Sequence, residues 1–308
     1  MTQSLLVRMS EGLMVDPTRL DHLIASAPHR YKVYRVPKRS GHGYRVIAQP
    51  AREVKRIQRW LMKEILSHFP VHKTAMGYVA GRNIGNNAEI HAKNPYLLKL
   101  DFEHFFPSIK GDDFLQYLTE DAVGTFTDGD AQRMLRALFW QPKGETDLRL
   151  SIGAPSSPYL SNALMLSFDE AVHRFCLNTG VSYSRYADDM TFSMTDMTLR
   201  DLVMDHVRVV LADLPFPRLT LNHRKTIYGS KAHRRTVTGL VLTNDGCVSL
   251  GRKKKRKIRA KVHNMLTGTF SDRERDELQG YLAFARSVEP EFVRRLENKY
   301  GVHFGENV

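Results

Sequence analysis

Residues 181–194 have the sequence VSYSRYADDMTFSM, in which two adjacent acids interrupt a run of strand-forming residues. The β-branched and aromatic residues on both sides predict a strand, a tight turn and a second strand. Asp188 and Asp189 stand at the predicted tip, although two-residue hairpin turns favour Asn-Gly or Asp-Gly because they require positive φ. Two adjacent carboxylates also repel each other unless a cation lies near them. A locally unfavourable pair inside a well-patterned hairpin indicates a functional site.

A third acid, Asp101, follows the apolar stretch 96–100, which predicts a buried strand. If the hairpin pairs beside that strand, Asp101 and Asp188 come together from distant parts of the chain. Carboxylate oxygens placed in this way suit Mg²⁺, and two ions in such a site lie about 3.5–4 Å apart. The alternative is that each acid is an ordinary solvated turn residue.

The remaining pattern predicts an α+β fold with a strand-rich centre and helices on its flanks. Residues 30–48 alternate in strand fashion around a Gly-containing turn at 38–43, which predicts a hairpin. A helix capped by Ser157, with Pro158 in its first turn, is predicted to run to Phe175. Another helix is predicted from four apolar residues that share one face: Ile57, Leu61, Ile65 and Leu66.

Three further helices are predicted towards the C-terminus. The first carries an apolar stripe that stops at Gly268, and the second begins at the capping box Ser271-x-x-Glu274. The third begins at Pro290 and ends before Gly301. The residues expected to face inward are Ile258, Val262, Met265, Leu278, Tyr281, Leu282, Ala285, Val293, Leu296 and Tyr300.

The chain of 308 residues carries a formal net charge of +13, and one segment holds all of this surplus. Residues 218–263 contain fourteen Lys and Arg residues and a single acid, Asp245, with the densest run at 252–257. Such a patch attracts polyphosphate through Coulomb attraction and counterion release, which favours a nucleic-acid partner. A solvated helix face or a targeting tract remains the alternative.

Composition excludes several other classes of protein. Hydrophobic residues at 42% and charged residues at 26% are not those of a disordered or collagen-like chain. Cys176 and Cys247 lie far apart without metal-binding spacing, so we expect neither a disulfide framework nor a zinc site. Because no apolar run approaches the roughly 18–20 residues of a membrane span, and the N-terminus lacks a signal-peptide pattern, we expect a soluble, cytoplasmic protein.

Seven segments in register resemble motifs of the reverse transcriptases. Tyr186-Ala-Asp-Asp189 is similar to their catalytic box, and residues 101–108 resemble the box that supplies the other metal-binding aspartate. Asn87-Ala-Glu-Ile-His91 and Val237-Thr-Gly239 are similar to two motifs of the retron subgroup. Residues 44–50, 153–158 and 219–225 resemble the fingers motif, the template and nucleotide loop, and the later palm motif that ends in a lysine.

This resemblance, which covers residues 31–300, implies a right-hand polymerase with fingers, palm and a small helical thumb. The implied division gives residues 1–30 to an N-terminal helical segment, 31–96 with part of 109–152 to the fingers, 97–108 and 153–235 to the palm, and 236–308 to a thumb with a basic helix.

The resemblance also implies an in-line phosphoryl transfer, in which catalysis is mostly positioning and charge neutralisation. Asp101 and Asp188 are expected to bridge two Mg²⁺ ions, with Asp189 as a third acid near them. The backbone carbonyl of Phe102 is expected to be an extra ligand. Lys225 is expected either to protonate the departing pyrophosphate or to be one more base that contacts phosphate.

Nucleotide contacts are expected from four residues. Lys38 and Arg45 are expected to grip the triphosphate, unless they belong to a merely exposed basic hairpin. Phe106 is expected to lie against the sugar and to collide with the 2′-OH of a ribonucleotide, while Phe105 belongs to the core. Ser156 stands where many reverse transcriptases carry Gln, although retron enzymes are similar in having Ser there, so its contact with the nucleotide is expected to differ.

For the retron subgroup, the implied partner is a dedicated noncoding RNA that is both template and primer. Synthesis then starts from the 2′-OH of an internal guanosine and gives a branched, RNA-linked multicopy single-stranded DNA. The expected RNA contacts are Asn87, His91, Val237, Thr238, Gly239, Arg252, Lys253, Lys254, Lys255, Arg256 and Lys257. For Asn87 and His91, a structural role as a brace of the fingers is the alternative.

The same resemblance implies a role in anti-phage defence. The further partner would then be an effector or toxin protein. Because the chain after Gly239 is long enough only for a thumb and a nuclease domain needs roughly 100 residues, trimming of the template is expected from a host ribonuclease H. Two alternatives stay open. One is another bacterial reverse transcriptase, of an intron-derived or abortive-infection type, against which the Asn-Ala-x-x-His pair and the lack of a maturase extension argue. The other is a non-catalytic RNA-binding scaffold.

Overall fold

The structure is a computed structural model, and it describes residues 3–38, 43–120, 126–268 and 270–304. The strands are β1 (Tyr31–Pro37), β2 (Tyr44–Pro50), β3 (Tyr96–Asp101), β4 (Ser182–Tyr186), β5 (Asp189–Met194), β6 (Ile227–Ser230), β7 (Arg235–Val237), β8 (Leu240–Leu242) and β9 (Val248–Ser249). The helices are α1 (Leu5–Leu13), α2 (Pro17–Ser26), α3 (Arg52–Glu64), α4 (Ile84–Glu89), α5 (Phe105–Ser108), α6 (Gly111–Glu120), α7 (Asp128–Leu138), α8 (Ser157–Leu164), α9 (Leu166–Thr179), α10 (Leu199–Asp213), α11 (Arg252–Leu266), α12 (Asp272–Val288) and α13 (Pro290–Tyr300).

A four-stranded antiparallel sheet with the order β4-β5-β3-β6 lies at the centre of the chain. Its central strands β3 and β5 are largely buried, and their apolar residues belong to the larger hydrophobic core of the chain. The predicted strand at 96–100 and the predicted hairpin at 181–194 are therefore both confirmed, and the α+β fold with them. The two elements are direct neighbours, which places the ends of β3 and β5 side by side.

The turn of the β4–β5 hairpin lies one residue earlier than the sequence suggested. Tyr186 pairs with Asp189, so the two turn residues are Ala187 and Asp188. Asp189 is the first residue of β5 and lies directly opposite Asp101 on β3. Ala187 has φ 56°, in the left-handed region that a residue with a β-carbon seldom adopts.

The hairpin predicted for residues 30–48 is also confirmed, as β1 and β2 pair along their full length from Tyr31 opposite Pro50 to Pro37 opposite Tyr44. Both strands are mostly exposed, so the hairpin extends from the body of the protein. Residues 39–42 of its turn lie outside the described residues. The predicted helix face after it is buried at Ile57 and Leu61, although Ile65 and Leu66 follow the end of α3.

One predicted helix is in fact two. The chain from Ser157 to Phe175 breaks at Met165 into α8 and α9, and Ser156 rather than Ser157 occupies the N-cap position. Helix α8 is buried on nearly every side, so its apolar pattern has no polar face that would mark where the helix ends.

Two hydrophobic cores organise the chain. The larger one joins α1–α3, α6–α10 and the central sheet. The smaller one lies inside a C-terminal unit, which we define as β7–β9 with α11–α13, and it includes Ala88 near the end of α4 and Leu97 of β3. The capping box at Ser271 and Glu274 is present as predicted. No helix in the described ranges has both the length and the apolar character needed to cross a membrane.

Candidate functional site

Three carboxyl groups come together where β3 ends and β5 begins. Asp101, the last residue of β3, pairs with Asp189, the first residue of β5. Asp188 precedes it in the turn, and its backbone carbonyl accepts a hydrogen bond of 3.2 Å from the N–H of Phe102. The antiparallel ladder thus brings together acids that come from two distant segments of the chain.

Lys225 closes one side of this acidic cluster. Its ammonium donates hydrogen bonds to both carboxylate oxygens of Asp101, at 2.7 Å and 2.9 Å. The Lys225 side chain is about half exposed, whereas Asp101 is buried. A short 3₁₀ turn at His223–Lys225 and the hydrogen bond from the Asn222 N–H to the Asp101 carbonyl hold the lysine at this place.

The pKa values of two of the three carboxyl groups are raised, because the nearby positive charge does not compensate for their burial and mutual repulsion. Burial raises the pKa of Asp101 to about 7, the Lys225 hydrogen bond opposes this shift, and Asp188 and Asp189 add to it. Burial and the charge of Asp189 likewise raise the pKa of Asp188. A carboxyl group that resists ionisation in this way gains stability when a cation approaches it.

The residues present fit a divalent cation, because carboxylate oxygens are the ligands that Mg²⁺ prefers and Lys225 shows that a positive charge is accepted on Asp101. As arranged, however, no three His, Cys, Asp or Glu side chains form a ready metal-binding group within the described part of the chain. The ammonium of Lys225 and a metal ion would compete for the same two oxygens.

The residues expected to contact a nucleotide lie around this cluster with different exposure. Arg45 lies on the strand β2 with an exposed side chain, and its positive charge acts to lower the pKa of Asp188. Lys38 follows β1 with an exposed side chain. Phe106 is half-buried beside Phe105, with ring centroids 5.3 Å apart. Phe105 itself is buried and stacks on Phe102, which agrees with its expected place in the core.

Ser156 does not match its expected role. Its side chain is completely buried, and its hydroxyl oxygen has no hydrogen-bond partner among the residues that the structure describes. Because it stands at the start of a helix packed on all sides, the sequence position that resembles a nucleotide-contacting loop lies inside the protein. The expectation of a nucleotide contact by Ser156 is therefore not supported by its position.

Asn87 and His91 are also buried, and their side chains contact the β4–β5 hairpin instead of facing solvent. The two ring nitrogens of His91 lie 2.9 Å from the Ser193 hydroxyl and 2.8 Å from the Ser184 hydroxyl. Ser184 donates a 2.6 Å hydrogen bond to the side-chain carbonyl of Asn87. Burial lowers the pKa of His91 to about 3, so the ring is neutral. These hydrogen bonds tie segment 87–91 to the strands β4 and β5, which favours the structural alternative over a contact with RNA.

The Val237-Thr-Gly239 segment forms the tight turn between β7 and β8. Thr238 and Gly239 have φ values of 46° and 80°, which explains the need for a glycine at the second position. Val237 is buried, and the Thr238 hydroxyl donates a 3.2 Å hydrogen bond to the carbonyl of Ile84 at the start of α4. Of these three expected RNA contacts, only Thr238 and Gly239 are therefore accessible from outside.

The basic run of residues 252–257 forms the first turns of α11. Lys255 is half-buried and pairs with Glu289, so it stabilises the C-terminal unit and does not match its expected role as an RNA contact. Lys257 is exposed and lies 3.3 Å from Glu277, and the Lys254 ammonium donates to the Gly239 carbonyl at 3.2 Å. The exposed members of the run are Arg252, Lys253, Lys254, Arg256 and Lys257.

Tyr78 is a site residue that sequence reasoning missed. Its ring lies 5.9 Å from that of Tyr186, and the charges of Asp188 and Arg45 both influence its pKa, which burial raises. It is half-exposed and has φ 62°, an unusual value for a residue with a β-carbon. In the sequence, Tyr78 is marked only by its position after Gly77 in a loop, and this pattern is too weak to predict a site residue.

Comparison with known proteins gives consistent matches over most of the chain. A sequence model described as "Reverse transcriptase (RNA-dependent DNA polymerase)" matches residues 36–242. The Retron Ec83 reverse transcriptase of Escherichia coli is 42% identical over 284 residues, which cover 91% of this chain and 90% of that protein. The Retron Ec86 reverse transcriptase of the same species is 32% identical, with 95% and 89% covered.

Solved structures agree at the level of the fold. The structure of apo telomerase from Candida tropicalis superimposes with a TM-score of 0.50 at 14% identity. The match covers 82% of this chain and 50% of that one, so this chain spans half the length of the telomerase. At this identity the likeness concerns the fold alone.

Proposed function

Because this chain belongs to the reverse transcriptase family, as an RNA-directed DNA polymerase of the retron type with a right-hand polymerase fold, we propose that it makes multicopy single-stranded DNA. It copies part of a dedicated structured noncoding RNA, starts from an internal 2′-OH and leaves the DNA branched and RNA-linked. The two retron relatives, each matched over about 90% of its length, support this assignment. A role in anti-phage defence, with an effector or toxin protein, belongs to the same proposal.

One observation carries the catalytic part of the proposal, namely the ladder that sets Asp101 opposite Asp189 with Asp188 beside them. We propose that the side chains of Asp101, Asp188 and Asp189 and the carbonyl of Phe102 hold two Mg²⁺ ions. Bound ions of this kind supply Lewis acidity and neutralise charge that develops on the transferred phosphate. The raised pKa values of Asp101 and Asp188 support the assignment, since both carboxyls would be stabilised in their charged form by a cation.

Lys225 has two places to act within reach of this cluster. On Asp101 its ammonium holds the carboxylate in a fixed orientation. Because its side chain is half-exposed, it is free to turn towards a phosphate once a metal ion takes that carboxylate. There it would protonate the departing pyrophosphate or neutralise its charge.

The nucleotide is proposed to lie between the β1–β2 hairpin and the acidic cluster. The exposed Arg45, whose charge acts on Asp188, would bind the triphosphate together with Lys38 at the end of the first strand of the same hairpin. Phe106 presents a half-buried ring for the sugar, and Phe102 and Phe105 support it from behind. Ser156 is left out of this proposal because it is buried.

The RNA and the RNA–DNA duplex are proposed to lie along the C-terminal unit, which acts as the thumb. Its exposed basic residues on α11 would contact phosphates and supply affinity, while the shape of the RNA decides which molecule is chosen. Trimming of the template RNA by a host ribonuclease H belongs to the same proposal.

A substitution at Asp188 tests the catalytic assignment. Asp188→Asn is expected to lower deoxynucleotide incorporation by about 10²–10³-fold or more, while binding of the RNA in a filter assay stays within about twofold. Asp196→Asn is the matched control, because Asp196 is an exposed acid just beyond the same strand β5. Wild-type incorporation that survives in Asp188→Asn would show that the metal assignment is wrong, and a wild type without incorporation would favour the RNA-binding scaffold.

The product tests the retron assignment. DNA that copurifies from cells carrying the native locus is expected to keep a branched ribonucleotide after ribonuclease digestion. Unbranched DNA with an ordinary 3′-primed end would favour an intron-derived or abortive-infection enzyme instead.

A further inference from the structure

Arg185 and Asp169 form a fully buried ion pair directly behind the turn that carries Asp188. The guanidinium donates from Nε to Oδ1 at 2.9 Å and from Nη2 to Oδ2 at 2.6 Å. The Tyr183 hydroxyl donates to the same Oδ1 at 2.7 Å, so the carboxylate of Asp169 has three donors and a fixed orientation. Neither charge of the pair is in contact with solvent.

The remaining nitrogen of Arg185 reaches the turn itself. Its Nη1 donates to the backbone carbonyl of Ala187 at 3.1 Å and to the Asn162 side chain at 3.1 Å. Ala187 is the residue with φ 56°, a conformation that its β-carbon disfavours. The local sequence therefore does not prefer this turn, and the buried guanidinium holds its carbonyl from inside the protein.

The same residue ties the turn to a neighbouring segment. The Arg185 backbone accepts a 2.7 Å hydrogen bond from the N–H of Met76 and donates a 2.9 Å bond to the carbonyl of Thr74. Asn162, which shares Nη1, donates to the Gly77 carbonyl at 2.8 Å. A β-carbon on Gly77 would lie 3.1 Å from the Ala187 nitrogen, so segment 74–77 packs tightly on the turn.

We propose that the Asp169–Arg185 pair is a positioning device that fixes the turn at Ala187 and so aims the Asp188 carboxylate at Asp101 and the metal ions. This inference rests on the proposed function, because it takes Asp188 as a metal ligand. Replacing a buried ion pair by apolar residues of similar size is often neutral for stability. A pair that served only the fold would at most change stability and leave the kcat of the folded protein unchanged, whereas a positioning pair would also change kcat.

The double variant Asp169→Leu/Arg185→Met separates these two roles. It is expected to lower the melting temperature by several degrees, because the Tyr183 hydroxyl, the Asn162 side chain and the Ala187 carbonyl lose hydrogen-bond partners. At temperatures where it is fully folded it is expected to lose about 10²-fold in kcat, because misplacement of a reacting group by about 1 Å has that effect. The KM for deoxynucleotide is expected to change by less than about twofold. Binding of Mn²⁺, measured by calorimetry without substrate, is expected to weaken about tenfold.

The matched control removes an ion pair far from the acids. Arg133 and Asp21 join α7 to α2 with an Nε–Oδ1 distance of 2.8 Å, and Asp21→Leu/Arg133→Met is expected to leave kcat and Mn²⁺ binding unchanged. A rescue variant adds Ala187→Gly to the Asp169→Leu/Arg185→Met background. Glycine adopts positive φ without strain and suits the first position of a two-residue turn, so it is expected to restore about tenfold of the lost kcat.

The proposal is overturned if the double variant keeps wild-type kcat and Mn²⁺ affinity, or if glycine restores neither. Should the double variant fail to fold, Arg185→Lys decides instead. It keeps the charge but cannot bind the carboxylate in bidentate fashion and also reach the Ala187 carbonyl. Wild-type kcat and Mn²⁺ binding in Arg185→Lys would then refute the positioning role. Asp188→Asn in the same assays reports on the proposed function separately, since its activity would refute the metal assignment whatever Arg185 does.

Discussion

The Lys225 ammonium lies within 2.9 Å of both carboxylate oxygens of Asp101, at the end of the strand that faces Asp189. The hydrogen bond stabilises the charged form of a buried carboxyl group whose pKa is nevertheless raised to about 7. Two demands therefore meet on Asp101, since burial favours the proton and the lysine opposes it. The balance between them sets the pH at which the carboxylate is available for a cation.

The first prediction concerns the pH dependence of polymerisation. Because Asp101 must lose its proton to bind a metal ion, the rate of incorporation at a subsaturating Mg²⁺ concentration is expected to rise with pH through about 7. Lys225→Met removes a group that lowers the pKa of Asp101, so the rising limb is expected to move up by about one pH unit. Lys225→Arg, which keeps the charge, is expected to leave the limb near its wild-type position. An unmoved limb in Lys225→Met would contradict the prediction.

The second prediction concerns stability without metal. The pKa of Asp101 is raised in the folded protein to about 7, while in the unfolded chain it is about 3.9. The folded state thus binds more protons between these values, and the free energy of unfolding falls as pH rises from about 4 to 7. Asp101→Asn is expected to be more stable than the wild type at pH 8 and to lose this advantage at pH 5.

Urea unfolding in the presence of a chelator at the two pH values measures this difference. Asp196→Asn is the control, because Asp196 is exposed and its pKa is lowered by hydrogen bonds to Thr198. It is expected to gain no stability at pH 8. Equal effects of the Asp101 substitution at pH 5 and pH 8 would speak against the raised pKa.

The third prediction concerns His91. Its removal in His91→Ala leaves the buried hydroxyls of Ser184 and Ser193 without the imidazole, so the free energy of unfolding is expected to fall by about 1–3 kcal/mol at pH 7.5. The difference is expected to shrink at pH 5. There the unfolded chain gains a proton on this histidine, whereas the folded protein, in which the pKa is about 3, does not.

RNA affinity provides the contrast for this variant. Because His91 is buried, the dissociation constant for RNA is expected to stay within about twofold of the wild type. The exposed His22 on α2 serves as a control for loss of a histidine, and His22→Ala is expected to be neutral in both measurements. A large loss of RNA affinity in a fully folded His91→Ala protein would reassign this residue to RNA recognition.

The fourth prediction concerns the basic helix α11. Replacing the exposed Arg252, Lys253 and Arg256 by Gln is expected to weaken RNA binding. The slope of the logarithm of the RNA association constant against the logarithm of the salt concentration is expected to become less steep by about 2–3. Lys255→Gln instead breaks the half-buried pair with Glu289, so it is expected to lower the free energy of unfolding with little change of slope. Equal slopes in the triple variant and the wild type would place the RNA elsewhere.

Much of the site follows from short patterns that carry their own physical reason. The strand 96–101 and the hairpin 182–194 are confirmed, in line with the preference of apolar, β-branched and aromatic residues for strands. The two acidic segments then become neighbours through pairing of β3 with β5. Roles for individual side chains follow less well, since Ser156 and His91 are buried by elements that lie far away in the sequence.

Tertiary partners explain the rest. The break at Met165 lies in a stretch buried on all sides, where periodicity holds no information about where a helix ends. Arg185 reads as one more basic residue beside a strand, and only the fold shows that Asp169 neutralises it. Such a pair leaves no local pattern, because its two members share neither a strand nor a helix face.

Helix α4 connects the C-terminal unit to the hairpin that carries the acidic residues. One end of it receives the Thr238 hydroxyl, and the histidine just beyond its other end grips the hairpin that presents the acids. Ala88 of this helix is buried among the apolar residues that form the core of α11, α12 and α13. Removing those helices to obtain a minimal catalytic fragment would expose the buried face of α4. The truncation would therefore disturb the acidic cluster as well as the binding of RNA.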